Sequence, residues 1–486
     1  MIQSYKEAIK DKKHSIWQDN WLVVKMAFTK KCTKLKEGDC SQMKRKLSLW
    51  IVIALLLLSL FGMSIAEAKT LSITYGEPWK ELIEPAIKDF ETATGAKVDV
   101  TMIPYGVDMV EKVSLDLAAG VATDIIMVDS FMIPAWAEAG YLYGLDNYLV
   151  KWPDWEQYFP GMKGIVSFEG LHYAIMIDTD VRMLWYSKPL FKKAGIPMPW
   201  EPKNWIDIFN TALTIKRKIP EVVSPLFIPM GTKWGEGTTM QAFYMMLLGA
   251  DTPEGDLNRL RDWKEEKWIG SSSAIEKALD FYRDVFITYE LCPTEPHYVP
   301  DVWGEWRRMM REGEIGIGLG GSWEWAEFWP KEDLPPEEER KKLIRWAPMP
   351  SSGKFNVPKV ASISGGWAIG INSEARDPDL AWRFMEILHT KTRTAEWLAK
   401  TEKIAVRKDA VEVKAYAADK YLMEAIKLME YSTYRDTYPG YSQISFFVQE
   451  ATEDVSVEGL SVATAMERFK LKLIEEFGTD KVETIP

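Results

Sequence analysis

From residue 71 onward the chain alternates short apolar runs with helical stripes, and this rhythm limits the folds open to it. Residues 71–75 (LSITY) read as a buried strand. A helical stripe follows at Leu82, Ile83, Ala86, Ile87 and Phe90 and stops at Gly95. Pro85 is expected to start or kink that helix, because proline lacks the N–H a helix interior needs. Residues 98–102 supply the next strand, 107–118 the next helix and 125–128 a third strand. Such alternation predicts an α/β fold around a mostly parallel, doubly wound sheet.

The middle of the chain continues with strands at 171–175 and 183–186. Asn204 is placed to cap a helix whose apolar face is Trp205, Ile208, Phe209, Ala212 and Leu213. Helical segments run through 240–248 and 274–288, and 331–342 is a charge-dense loop or exposed helix containing Pro335 and Pro336. Strand signals return at 344–347 and 367–371, and helices cover 378–389 and the C-terminus. A chain of 486 residues is too long for one ordinary core. With no repeat and no low-complexity linker, the expectation is two domains between which the chain crosses more than once.

Ahead of this region lies an export signature. Met43-Lys-Arg-Lys46 precedes an apolar run over 47–63, and Ala66 and Ala68 form an A-x-A exit. Residues 43–68 therefore read as a signal peptide, with an exported chain beginning at Lys69. The apolar run sits at the short end of what spans a bilayer, roughly 17–25 residues, so an uncleaved anchor is the alternative. Residues 1–42 are expected to be an upstream extension, either not translated or disordered; a cytoplasmic tail is the other reading.

The whole chain carries a net charge of −11, and removing 1–68 takes away more basic than acidic residues. An acidic surface repels nucleic acid and anionic lipid, so neither is an expected partner. Of the cysteines, Cys32 and Cys40 precede the cut and only Cys292 follows it, so no internal disulfide can form. No cysteine stands at the cleavage site, which leaves lipid anchoring unsupported and a free, monomeric periplasmic product expected. All but Trp17, Trp21 and Trp50 of the 22 tryptophans remain. That surplus favours stacking on a flat, half-apolar ligand, although tryptophan also fills cores.

Catalytic and cofactor motifs are missing: the chain has no G-x-S-x-G, H-E-x-x-H, G-x-x-x-x-G-K or C-x-x-C. His172, His297 and His389 are too scattered for a metal site, and no cofactor is expected. Gly316-Ile-Gly318-Leu-Gly-Gly321 matches a dinucleotide pattern but follows a polar helical stretch and itself alternates like a strand. Carboxylates at strand ends carry more weight. Glu77 follows the first strand and Asp129 the third, where ligands of open α/β sheets bind; each could equally cap the next helix. Alternation would set Asp178, Asp180 and Arg182 on one face.

Four segments resemble extracellular solute-binding proteins, family 1, the maltose- and oligosaccharide-binding receptors of ABC importers. They are 169–188 (EGLHYAIMIDTDVRMLWYSK) with 190–196, 310–323 (MREGEIGIGLGGSW), 364–371 (SGGWAIGI) with 378–384, and 402–409 (EKIAVRKD). The resemblance spans essentially all of 69–486. It implies a type II periplasmic-binding-protein fold: two α/β lobes, each a mostly parallel sheet flanked by helices, with the ligand cleft between them. Residues 69–179 with 361–400 would form one lobe, and 180–360 with 401–486 the other. Carried over by position, Glu77, Asp129 and Asp180 resemble the family's sugar-binding carboxylates, and Trp323 resembles its second-lobe stacking aromatic. Trp234, Trp367 and Tyr441 fall in segments that face the cleft in relatives, and Arg182 adds a cation beside Asp180. Pro78-Trp79 departs from the polar or flexible pair common in relatives.

The implied function is a periplasmic receptor without enzymatic activity. It would close on a sugar or oligosaccharide and deliver it to membrane permease subunits. Carboxylates beside aromatics also suit a cationic amine such as a polyamine. A secreted glycoside hydrolase using Asp178 and Asp180 is the third possibility.

Overall fold

The computed structural model describes residues 69–104, 109–353 and 359–485. The extension 1–42 and the expected signal 43–68 lie outside the described residues. No helix among the described residues is long and apolar enough to cross a membrane.

The chain opens as β1 (Thr70–Gly76), α1 (Lys80–Thr94), β2 (Lys97–Ile103), α2 (Met109–Ala118, described from Met109) and β3 (Ile125–Asp129). The apolar stripe of α1 buries Leu82, Ile83, Ala86 and Phe90, while Ile87 is only half-buried. Gly95 ends the helix in the left-handed conformation at φ 71°, its N–H donating to the Glu91 carbonyl at 2.9 Å. Pro85 does not start α1. A 3₁₀ turn, Glu77–Trp79, begins the descent from β1, and the helix already runs from Lys80 with Pro85 inside it.

The chain continues through β4 (Ala174–Met176), β5 (Arg182–Ser187), α3 (Trp205–Lys218), β6 (Ser224–Phe227), α4 (Ser273–Arg283), α5 (Val302–Glu312), β7 (Ile315–Gly321) and β8 (Ile344–Ala347). It then forms β9 (Trp367–Ile371), α6 (Pro378–Leu388), α7 (Lys391–Lys400), α8 (Tyr441–Ser456) and α9 (Val462–Phe477). Asn204 caps α3 as its position predicts, its side-chain oxygen accepting the Asp207 N–H at 3.0 Å. The segments expected at 240–248 and 274–288 each contain a π-helical stretch, Thr239–Phe243 and Asp284–Thr288.

Two large sheets organise these elements. The first has strand order β2-β1-β3-β9-β4 and the second β8-β5-β7-β6. In the first, β1 runs parallel to β2 and β3, whereas β9 is antiparallel to both neighbours. In the second, β7 runs parallel to β6 and β5 is antiparallel to β7 and β8. Each sheet therefore carries one strand that opposes its neighbours on both sides. The reason is connectivity: β5 comes directly from β4 of the first sheet, and β9 returns from β8 of the second. Each enters its new sheet at the edge where β3 or β7 ends. Register makes this concrete, with Trp367 opposite Asp129 and Arg182 opposite Gly321.

The chain passes between the sheets at 177–181 and again between β8 and β9. After α7, Arg345 pairs with Glu424 at 2.7 Å and the Tyr421 hydroxyl donates to the Ser322 carbonyl, so the 420s belong with the second sheet. Residues 69–486 form one compact unit of their own. The glycine-rich run that mimics a dinucleotide motif is β7, buried along its whole length. A β-carbon at Gly318 would lie 2.2 Å from the Trp306 ring, and one at Gly321 would lie 1.9 Å from Trp323. Those glycines make room for indoles, and no phosphate loop forms.

Candidate functional site

A cavity of about 300 Å³ opens where β3 and β7 end and β5 and β9 begin. Open α/β sheets present ligands with this edge, because the loops beyond the strand ends converge there. Two indole pairs line it. Trp79, in the turn after β1, and Trp367, at the start of β9, have ring centroids 5.0 Å apart; Trp303, on α5, and Trp323, just after β7, are 6.4 Å apart.

Charged side chains fill the space between the rings. Asp178 Oδ2 accepts from Lys403 Nζ at 2.8 Å and from the Trp79 indole N–H at 3.1 Å, while its Oδ1 accepts the Trp367 amide at 2.9 Å. Asp180 pairs with Arg182 and accepts the Gly365 amide at 2.9 Å. The Arg182 guanidinium lies 4.9 Å from the Trp323 ring centroid, and Lys403 Nζ lies 4.9 Å from that of Trp79. Both cations thus present an aromatic partner with a polarised face.

Arg435 is the third cation and ties the two sheets' loops together. It donates to Glu236 Oε1 at 2.8 Å, to Asp129 Oδ1 at 3.4 Å and to Ser130 Oγ at 3.3 Å. Burial raises the Asp129 carboxyl to about 6; Arg435 opposes that rise and Glu236 adds to it. With the folded-state value above the ordinary one of 3.8, the folded protein keeps this proton between about pH 4 and 6, where the unfolded chain has lost it. Stability from this group is therefore present at low pH and falls as pH rises through that window. Asp129→Asn is expected to shrink the fall in urea-unfolding free energy between pH 4.5 and 7. An unchanged difference between those two pH values would refute the assignment.

Of the residues singled out in the sequence, Asp129, Asp180, Arg182, Trp323 and Trp367 line the cavity. Glu77, Trp234 and Tyr441 do not. Glu77 sits in the 3₁₀ turn after β1, which turns Trp79 to the cavity in its place. Trp234 is buried behind the site: its indole N–H donates to His297 Nδ1 at 2.9 Å and its ring packs edge-on against Trp303 at 4.8 Å. Burial lowers the His297 imidazole to about 3, leaving it neutral and able to accept that bond. Tyr441 is buried too, with its hydroxyl donating to Glu236 Oε1 at 2.7 Å. Asp178 and Asp180 lie in the connection between β4 and β5, not on a strand, yet both reach the cavity with Arg182. Sequence reasoning missed Glu236, Trp303, Glu327, Lys403 and Arg435 as lining residues. The only cue for any of them was the tryptophan surplus.

Comparison with known proteins gives a consistent picture. Residues 72–402 match the family model described as bacterial extracellular solute-binding protein. A putative binding protein of Brucella abortus is 20% identical over 379 residues, covering 76% of this chain and 84% of its own. The mannitol-binding protein of Pseudomonas aeruginosa is 21% identical over 286 residues, 56% of this chain and 58% of that protein. Among solved structures, an ABC transporter solute-binding protein from Thermotoga lettingae, bound with α-D-tagatose, is 25% identical with a TM-score of 0.67. It aligns with 84% of this chain and all (100%) of its own. The sugar-binding protein MalE from Xanthomonas citri is 23% identical with a TM-score of 0.68, over 84% of this chain and 97% of that one. These likenesses agree with the two-lobed α/β architecture described above.

Proposed function

This chain belongs to the bacterial extracellular solute-binding proteins, and from that premise we propose that it is the sugar receptor of an ABC importer. On this reading it is exported through the 43–68 signal, works as a soluble periplasmic monomer and hands its ligand to membrane permease subunits. The clamp would consist of 69–179 with 361–400 closing against 180–360 with 401–486. It binds without turnover.

One observation carries the reading: two indole pairs, one beside β1 and β9 and one beside α5 and β7, share a single cavity with a ring of carboxylates and cations. An indole face covers the C–H face of a pyranose, and charged groups hydrogen-bond its hydroxyls. Each such charge-assisted bond is worth about 1.5–3 kcal/mol. A few of them with aromatic burial reach a Kd of roughly 1 µM, about −8.2 kcal/mol. A cavity of about 300 Å³ suits a small saccharide. The similar proteins named for mannitol and bound with α-D-tagatose take polyhydroxylated ligands as well.

The rival readings fit less well. A polyamine would need free carboxylates, but Asp178, Asp180, Glu236 and Glu327 are each already paired with a lysine or arginine. A hydrolase would need a protonated acid facing a free base, and Asp178 and Asp180 both sit in ion pairs.

A thermal-shift screen of the 69–486 protein against mono- and oligosaccharides, polyols, uronides and polyamines tests the proposal. A ligand at about 100 times its Kd adds about 2.7 kcal/mol and raises Tm by several degrees at most. The expected result is a shift by one class of neutral sugar or polyol. Shifts confined to polyamines would replace the sugar receptor with an amine receptor.

A further inference from the structure

A second cavity, of about 490 Å³, opens between the hairpin at 167–172 and the segments 259–266 and 434–438, and shares no lining residue with the first. Its wall holds Arg261, only 4% exposed. The guanidinium carbon lies 3.7 Å from the ring centroid of Tyr438, 5.0 Å from that of Trp268 and 5.2 Å from that of Trp263. Arg261 Nε is buried without a hydrogen-bond partner among the described residues.

The neighbouring charges are already engaged. Asp436 accepts from Arg259 at 2.7 Å, from the Trp263 indole N–H at 2.8 Å, from the Leu260 amide at 3.0 Å and from the Tyr244 hydroxyl at 3.1 Å. Asp262 Oδ1 accepts the amides of Lys264 and Glu265 at 2.8 and 3.0 Å. Glu169 and Glu266 stand at the exposed rim. Arg261 thus carries a charge held in an aromatic cage; among the described residues no carboxylate lies within ion-pair distance of it, and Glu266, Asp436 and Asp262 act on it only from farther away. Burial, the largest influence on it, pulls its guanidinium below the ordinary arginine range. Cation–π contacts and the carboxylates of Glu266, Asp436 and Asp262 return only part of that desolvation penalty, so a bound anion would complete the site.

We infer that this cavity is a second ligand site, taking a sugar ring that bears a carboxylate. The carboxylate meets Arg261, and the ring's apolar face lies on the Trp263 indole. Trp263 suits that role: it is 47% exposed, and its N–H bond to Asp436 fixes its orientation. Nothing in this inference depends on what fills the first cavity.

The test titrates glucuronate, glucose and inorganic phosphate into the Trp323→Ala form of the 69–486 protein while following tryptophan emission. That substitution weakens the first cavity, and any response that survives Arg261→Gln, a change confined to the second cavity's lining, is assigned to the first, so failure here leaves the receptor proposal untouched. Saturable quenching by glucuronate is expected, weakened by about 0.5 M salt and weakened roughly tenfold or more in Arg261→Gln. An equal response to glucose would overturn the anionic assignment, and an equal response to phosphate would overturn the sugar ring. Unchanged binding in Arg261→Gln would overturn the site. Should that variant fail to fold, Trp263→Leu at its half-exposed position tests the ring contact by calorimetry, and undiminished affinity there overturns the site equally.

Discussion

Replacing Arg435 by methionine is expected to lower the unfolding free energy by about 3–5 kcal/mol, the range for breaking a buried ion pair from one side. Arg435 is 3% exposed and is the cation shared by Glu236 and Asp129. Methionine keeps most of the volume but leaves two carboxyls facing each other in a poorly solvated space. The hydroxyls of Tyr441 and Ser445 still donate to Glu236, so that side loses less than Asp129 does. If the loss is electrostatic, adding Glu236→Gln and Asp129→Asn should recover much of it, because groups in one network couple strongly. Urea unfolding of the single and triple variants checks this. A triple variant no more stable than the single one would mean that packing, not charge, sets the effect. Because Asp129 ends β3 of the first sheet while Arg435 and Glu236 lie outside that sheet, the single variant also loosens contact across the cavity.

The parts of this molecule legible in sequence are those governed by local physics. The strands and helices from β1 to β3 follow apolar periodicity, and Asp129 is placed by the rule that ligands meet strand ends. Glu77 shows where the rule fails: a 3₁₀ turn follows β1, and two residues of turn exchange one side chain for another, so Trp79 faces the cavity. Pro85 does not mark the start of its helix, since an interior proline carries no sign distinguishing it from one at a helix start. Glu236, Trp303, Lys403 and Arg435 were not legible, because they converge from segments far apart in the chain. Glu236 opens a helix interrupted by a π-helical stretch, which blurs any stripe around it. β6 was missed because Ser224 and Pro225 hide a four-residue strand buried on both faces. The resemblance to a known family supplied Trp323 and Trp367, which periodicity alone would have left as core or surface, whereas Asp180 was already marked by its alternation with Asp178 and Arg182.

Trp323→Ala should have the largest effect on binding. Its ring is half-buried, pairs with Trp303 and stacks on the Arg182 guanidinium, so truncation removes a stacking face and frees a cation held by it. Aromatic anchors at the centre of a binding site are worth about 2–3 kcal/mol, roughly 30–150-fold in Kd. Little stability should be lost, since the ring covers the cavity and is not enclosed by the core. The decisive measurement is therefore calorimetric titration of the 69–486 protein and its Trp323→Ala variant with the saccharide giving the greatest thermal shift. One site near micromolar affinity is expected in the parent chain, and a loss of roughly 30-fold or more in the variant, with the fold intact. Equal affinity in both proteins would put the ligand elsewhere and contradict the assignment of this cavity.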